Sequence, residues 1–260
     1  LLEQTITALA ELRPDFVSVT CGAGGTGHEG TRDLVVEWTR RFDFPVVAHL
    51  TCVGFGRDEV ARLLDDYAAH GVIAVLALAG DPPADGSPPR GDYRHAIDLV
   101  HDIRRHEADF VVGVAAHPEG HPRSPDLASD RRHLAAKLAL ADFALTQFFF
   151  DVDVYTEMVA DLDRAGVDRP VIPGVFPVTA PATVRRFAAL NATRVPEALF
   201  AELEAVTGEE RRRLATAHAA ALAGALLERG APGLHLYTMN RAPVAAEVVR
   251  RLGLRPGPAG

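Results

Sequence analysis

The chemistry in this chain concentrates where short apolar runs end. Gln147 sits between Thr146 and three phenylalanines, Phe148 to Phe150. A carboxamide in an apolar strand is costly unless it is paired, so Gln147 reads as a group kept to meet a ligand. Asp81 closes the run Val72–Gly80 and precedes Pro82-Pro83. Its carboxylate suits either stabilisation of a cation or the capping of a turn. His49 ends another run and reads as a hydrogen-bonded core histidine or as a cofactor contact. His117-Pro-Glu-Gly-His121 brings two imidazoles and a carboxylate together. With His49 and Asp81 these groups offer a metal set of the barrel-hydrolase kind, or contacts to the phosphate or ring of a cofactor. Pro118 and Gly120 break any helical i, i+4 relation between the two histidines. The glycine-rich stretch Cys21–Gly27 follows a strand. It would cradle a phosphate through backbone N–H groups or form an ordinary turn, and no Gly-Lys-Ser/Thr follows to make it a Walker loop.

Composition sharpens this list. Of 27 basic residues only Lys137 is lysine, glutamine occurs only at Gln4 and Gln147, and asparagine only at Asn191 and Asn240. Abundant Ala, Arg, Gly and Pro point to a GC-rich coding bias. A lysine retained against that drift marks a place where arginine would not serve. The net charge of −8 argues against a nucleic-acid partner, which calls for a basic face. The longest apolar run is too short to span a bilayer, and two cysteines, Cys21 and Cys52, are too few for a disulfide scaffold. These features predict a cytoplasmic protein without a membrane partner.

The elements that must position these residues follow from periodicity. Near-continuous apolar runs predict buried parallel strands at Phe16–Thr20, Pro45–Thr51, Val72–Leu78, Phe110–Ala116, Phe143–Phe149, Pro170–Phe176 and Leu234–Met239. Amphipathic helices are expected between them, with a longer helical region over Glu197–Arg229 and a last helix over Ala242–Leu252. This alternation predicts one domain, residues 1–260, of α/β class. The favoured architecture is a (β/α)8 TIM barrel whose first strand is missing from this chain, since a helix at Glu3–Leu12 opens it and seven strands are counted. An open doubly wound sheet is the alternative, although no strand is followed by a dinucleotide-binding glycine fingerprint. In a barrel the strand C-termini gather the active site. Here they carry Thr20, His49, Gly80-Asp81, His117, Gln147, Phe176 and Tyr237, followed by Asn240-Arg241.

Several blocks taken together resemble a known family. They are Phe16-Val-Ser-Val-Thr-Cys-Gly-Ala-Gly-Gly25, Ala48-His-Leu-Thr-Cys52, Gly80-Asp-Pro-Pro83, Pro118-Glu-Gly-His-Pro122, Thr146-Gln-Phe-Phe-Phe-Asp151, Ile172-Pro-Gly174 and Tyr237-Thr-Met-Asn-Arg241. The chain is similar over its whole length to 5,10-methylenetetrahydrofolate reductase of the bacterial single-domain type. The resemblance implies reduction of 5,10-methylenetetrahydrofolate to 5-methyltetrahydrofolate, with NAD(P)H as hydride donor and FAD as the carrier. It implies that Asp81 and Gln147 are catalytic, Asp81 stabilising the iminium and Gln147 bonding the pterin. It also implies that Phe187 stacks on the folate aminobenzoate or the nicotinamide nucleotide, and that Arg241 lies near the folate tail. Thr20, Ala23, His49, Gly80, Asp81, His117, His121, Asp130 and Lys137 match cofactor-contacting positions. The partners implied are small molecules, with a homo-oligomer possible.

The departures from the family pattern fall mostly on the flavin. Ala79 stands where an arginine normally precedes Gly-Asp, and Cys21, His95 and His117 stand at tyrosine positions. The segment before the fifth run is one residue shorter, at Leu140-Ala-Asp142, and Thr183 stands for a folate-side glutamine. The family's catalytic glutamate, in a first-strand Phe-Glu-Phe-Phe-Pro-Pro-type run, is not in this chain and is expected upstream of Leu1. Weak flavin binding is therefore expected. Three other readings stand beside the flavoenzyme. They are direct hydride transfer from the nicotinamide on the same fold, a metal-dependent hydrolase, and a non-catalytic folate-binding barrel.

Overall fold

A computed structural model describes residues 2–21, 28–81 and 90–254. Helix α1 (Leu2–Ala10) precedes strand β1 (Val17–Val19). Then α2 (His28–Arg41), β2 (Val46–Thr51), α3 (Arg57–Ala69), β3 (Ala74–Leu78), α4 (Ala96–Arg105) and β4 (Val111–Ala116) alternate. The pattern continues through α5 (Leu127–Leu138), β5 (Phe143–Phe148), α6 (Val152–Arg164), β6 (Val171–Val175) and α7 (Pro181–Asn191). Helices α8 (Glu197–Ala205) and α9 (Gly208–Glu228), strand β7 (His235–Leu236) and α10 (Ala242–Arg251) complete it.

The seven strands hydrogen-bond in the order β1-β2-β3-β4-β5-β6-β7. That order decides between the two architectures expected from the sequence. A doubly wound sheet reverses its strand order at a switch point, and none occurs here. Sequential parallel strands joined by right-handed helical crossovers wind in one sense, which is the arrangement of the (β/α)8 barrel class.

Two compact units divide the described chain. The first comprises residues 14–115 and 136–144 and contains β1 to β4. Its register pairs Ser18 with Val47, Val47 with Ala74 and Ala74 with Val111; two residues further on, it pairs His49 with Leu76 and Leu76 with Gly113. Because side chains alternate faces, His49 shares the face of Leu76 and Gly113. The base of that face is filled by aromatic rings. A Cβ on Gly113 would meet the Phe143 ring at 2.5 Å and Leu76 at 2.8 Å, and Phe16 lies 6.2 Å from Phe143. Outer helices bury one stripe each, Val60, Leu64 and Tyr67 on α3 and Ala96, Leu99, Val100 and Ile103 on α4, as helical periodicity requires.

The second unit comprises residues 1–13, 116–135 and 145–260. Its core gathers Phe148, Phe176, Val178, Val184, Ala188, Phe200, Leu203 and Ala215, with Phe187 and Tyr237 packed against them. Thr5 of α1 donates to the Asn240 carbonyl at 2.8 Å, tying the first helix to the turn after β7. The single helical region expected over Glu197–Arg229 is two helices. Val206 and Thr207 adopt extended backbone, and β-branched residues tolerate that conformation well. Arg211 then donates to the Leu203 carbonyl at 2.8 Å and to the Val206 carbonyl, satisfying groups at the end of α8. The last strand is also shorter than expected. Its ladder continues only to Tyr237, whose N–H reaches the Val175 carbonyl at 3.0 Å. Met239 and Asn240 then enter the left-handed region, which ends the strand.

Candidate active site

The site is clearest at the end of β5. The backbone N–H of Phe148 donates to Gln147 Oε1 at 3.0 Å, and the Tyr237 hydroxyl lies 3.3 Å from the same oxygen. The Phe148 N–H can only donate, so the oxygen faces it, and the Tyr237 hydroxyl can donate to the same oxygen. The Gln147 N–H2 makes no hydrogen bond among the described residues and offers two donors. Gln147 is only partly buried, on a shallow cleft that His117, Pro118, Glu119, Gly120, Phe148, Asn191 and Thr193 also line. The sequence picked out Gln147, and the structure shows the polarity it presents: a donor edge that suits an acceptor on a ligand.

Aromatic residues in the same unit build the wall beside it. Tyr237 stacks on Phe176 at 5.5 Å and meets Phe148 edge-on at 6.1 Å. Phe176 lies 6.4 Å from Phe187, the expected stacking residue on α7. Phe187 is half-buried, so part of its ring stays open to a planar ligand. Arg241, expected near the folate tail, is exposed and stands at the N-cap position of α10 without a side-chain capping bond. Burial raises the Tyr237 phenol well above its usual range and pushes the His235 imidazole down to about 4. Both are neutral near pH 7, so Tyr237 retains its O–H.

The loop after β4 is pinned from beneath. Arg131 on α5, only 8% exposed, donates to the His117 carbonyl at 3.0 Å and the Pro118 carbonyl at 2.6 Å. Asp161 of α6 pairs with it at 3.2 Å. His117 and His121 meet edge-to-face at 4.6 Å. The Arg123 N–H donates to His121 Nδ1 at 3.1 Å, leaving Nε2 to carry the proton. Glu119 accepts from both the backbone N–H and the side chain of Arg194. Arg131 received no role from the sequence, which placed Glu119 and Tyr237 only among the strand-end groups and the candidate metal set. Periodicity does not reveal that an arginine points inward at two carbonyls forming no part of a helix or strand.

The expected cofactor contacts on α5 face inward. Asp130 is 7% exposed and accepts the Ser124 hydroxyl at 2.9 Å. The sole lysine, Lys137, donates to the Ala115 carbonyl of β4 at 2.7 Å.

In the first unit, Thr20 is exposed and its carbonyl accepts the Thr31 hydroxyl at 3.2 Å. His49 is half-buried on the face described above. Gly80 has φ +80°, and a Cβ there would meet Thr51 at 3.1 Å and Val53 at 3.2 Å, so the backbone itself lines the strand end. Asp81 is exposed. Ala23, within the glycine-rich stretch, lies outside the described residues. Among the described residues no three or more His, Cys, Asp or Glu side chains are placed to hold a metal ion. No helix among them is long and apolar enough to cross a membrane.

A family model described as methylenetetrahydrofolate reductase matches residues 1–253. The 5,10-methylenetetrahydrofolate reductase of Salmonella typhimurium is 36% identical, over 98% of this chain and 88% of its own length. That of Escherichia coli is 35% identical over the same shares. Among solved structures, a Clostridium thermocellum protein that binds two copies of 5-methyl-5,6,7,8-tetrahydrofolic acid aligns with a TM-score of 0.63. It does so at 14% identity, over 95% of this chain and 85% of that one, and so shares the fold.

Proposed function

The chain belongs to the methylenetetrahydrofolate reductase family, and from that premise we propose that it reduces 5,10-methylenetetrahydrofolate to 5-methyltetrahydrofolate with NAD(P)H. The observation that carries the reading is the oriented Gln147 carboxamide, its N–H2 edge free beside the rings of Phe148, Phe176 and Tyr237. Pterin presents planar apolar faces and carbonyl and ring-nitrogen acceptors at its edge. The Gln147 N–H2 supplies a fixed donor for the edge, and the half-buried Phe187, rather than the buried Phe148 and Phe176, leaves a ring open to a face.

The reaction adds one hydride and one proton. Protonation opens the five-membered ring by breaking its bond from N10 to the one-carbon unit, leaving an iminium on N5. Hydride attack on that carbon forms the new C–H bond and leaves oxidised nicotinamide. Asp81, exposed after β3, is assigned to the developing cation, which a nearby carboxylate stabilises electrostatically. Phe187 is assigned to stacking on the aminobenzoate or nucleotide and Arg241 to the carboxylate tail, where a guanidinium forms charge-assisted bonds.

FAD is the family's hydride carrier, and the residues present fit it poorly. Of the groups assigned to it on α5, Asp130 is buried and accepts the Ser124 hydroxyl, and Lys137 spends one of its three donors on the Ala115 carbonyl. Ala79, Cys21, His95 and His117 replace an arginine and three tyrosines of the family pattern. We therefore assign hydride transfer directly from the nicotinamide to the iminium carbon. The test is NAD(P)H oxidation, with 5-methyltetrahydrofolate quantified, in protein whose visible spectrum and FAD titration are recorded alongside. Folate-dependent oxidation by colourless protein, with FAD affinity at least about a hundredfold below that of a tight flavoenzyme, is expected. Near-stoichiometric bound FAD overturns the direct route. Absence of folate-dependent oxidation overturns the reductase itself.

A further inference from the structure

Gln147 has an asymmetric tether. One bond to its oxygen comes from the next residue in the chain, Phe148, and moves with β5. The other comes from Tyr237, just past the end of β7 and ninety residues away. Around this second tether the packing leaves little freedom. The Tyr237 ring is stacked on Phe176 and meets Phe148 and His235 edge-on, His235 at 5.3 Å. Below it, a Cβ on Gly174 would lie 2.8 Å from Tyr237 Cε2 and 2.5 Å from the Thr146 carbonyl oxygen. Only glycine lets the phenol settle this low. The Gly174 N–H in turn donates to the buried Thr146 hydroxyl at 2.8 Å, which locks β6 to the residue preceding Gln147. The phenol oxygen therefore stands 3.2 Å from the Thr146 carbonyl and 3.3 Å from Gln147 Oε1, and its one proton serves either acceptor.

Resting on the reductase reading, we propose that Tyr237 is a positioning residue for the folate step, its hydroxyl holding the Gln147 carboxamide so that the N–H2 edge faces the pterin. A carboxamide held by Phe148 alone can pivot about that single bond. The torsion next to a side-chain amide is broad, so one directional contact constrains it weakly. Two donors converging on Oε1 leave the amide nitrogen one direction to point. Tyr237 thus acts through Gln147 on methylenetetrahydrofolate and has no part in holding the nucleotide.

The test is a double-mutant cycle with Tyr237→Phe, Gln147→Ala and the pair, with kcat and KM measured separately for methylenetetrahydrofolate and NAD(P)H. Phenylalanine keeps the three ring contacts and removes only the hydroxyl. Tyr237→Phe is expected to lower kcat/KM for the folate by about five- to tenfold, the scale of one neutral hydrogen bond. KM for NAD(P)H and the melting temperature should stay near wild type. In the Gln147→Ala background the same change should have no further effect, because the group it positions is gone. Equal losses in both backgrounds, unchanged folate kinetics, or a parallel rise in the NAD(P)H KM would each overturn the assignment. Wild-type protein that oxidises no NAD(P)H with the folate would instead remove the reductase reading, a failure visible before any variant is made.

Discussion

Two sets of polar groups, at the end of β5 and along α5, look alike in the sequence and differ in the structure. At the end of β5, Gln147 spends its oxygen on Phe148 and Tyr237 and keeps its nitrogen unspent. Along α5, Asp130, Arg131 and Lys137 direct their bonds at Ser124, at the carbonyls of His117 and Pro118, and at the Ala115 carbonyl. A polar side chain serves a ligand only with the capacity its own fold leaves over. By that measure the β5 end keeps an outward donor over, and each of the α5 side chains spends at least one bond on the strand or loop it covers.

The largest effect should come from separating the two edges of Gln147. In Gln147→Glu an oxygen still accepts from Phe148 and Tyr237, and only the outward N–H2 is replaced, by a carboxylate oxygen. We expect kcat/KM for methylenetetrahydrofolate to fall roughly thirty- to a hundredfold, on the order of 2–3 kcal/mol of transition-state stabilisation, with the melting temperature nearly unchanged. A stability loss matching the activity loss would erase the contrast between the regions.

The next effect probes α5. Arg131→Leu strips the donors from two loop carbonyls and takes the guanidinium from beside Asp130, while Asp161 keeps its pair with Arg164. Removing one partner of a buried ion pair costs about 3–5 kcal/mol, less here because Asp161 is partly exposed and keeps Arg164, so about 2 kcal/mol is expected. Denaturant unfolding measures this directly. A wild-type midpoint would mean that the loop does not depend on the brace.

The smallest effect is that of Lys137→Met, which keeps most of the apolar stem and removes one charged donor from the Ala115 carbonyl. About 1–2 kcal/mol of stability should be lost, seen as a fall of roughly 2–8 °C in Tm for a chain of this size. FAD titration of the variant sharpens the comparison. Unchanged, weak binding is expected, whereas tight wild-type binding abolished by the substitution would return Lys137 to the cofactor.

Much of the fold was legible because apolar periodicity is a local signal. All seven strands and the helices between them fall where the runs and amphipathic stripes predict, with ends shifted by a few residues. The errors lie where local pattern is silent. The break at Val206-Thr207 sits inside an otherwise helical stretch and depends on how α8 and α9 pack. Strand β7 stops early because Met239 and Asn240 turn left-handed, and neither residue is the glycine that would advertise such a turn.

Residue types and spacing determined by themselves that this is a singly repeating strand-and-helix chain, and which strand ends carry polar groups. Gln147 was conspicuous because a carboxamide in an apolar run has no local partner to explain it. Only the tertiary structure decided which edge of that carboxamide faces outward, since one of its two anchors, Tyr237, arrives from β7. The same holds for Lys137 and Asp130, whose family positions suggest a cofactor. Hydrogen-bond capacity is settled by neighbours distant in sequence, and it is the satisfied or unsatisfied remainder that makes a polar residue a brace or a binding group.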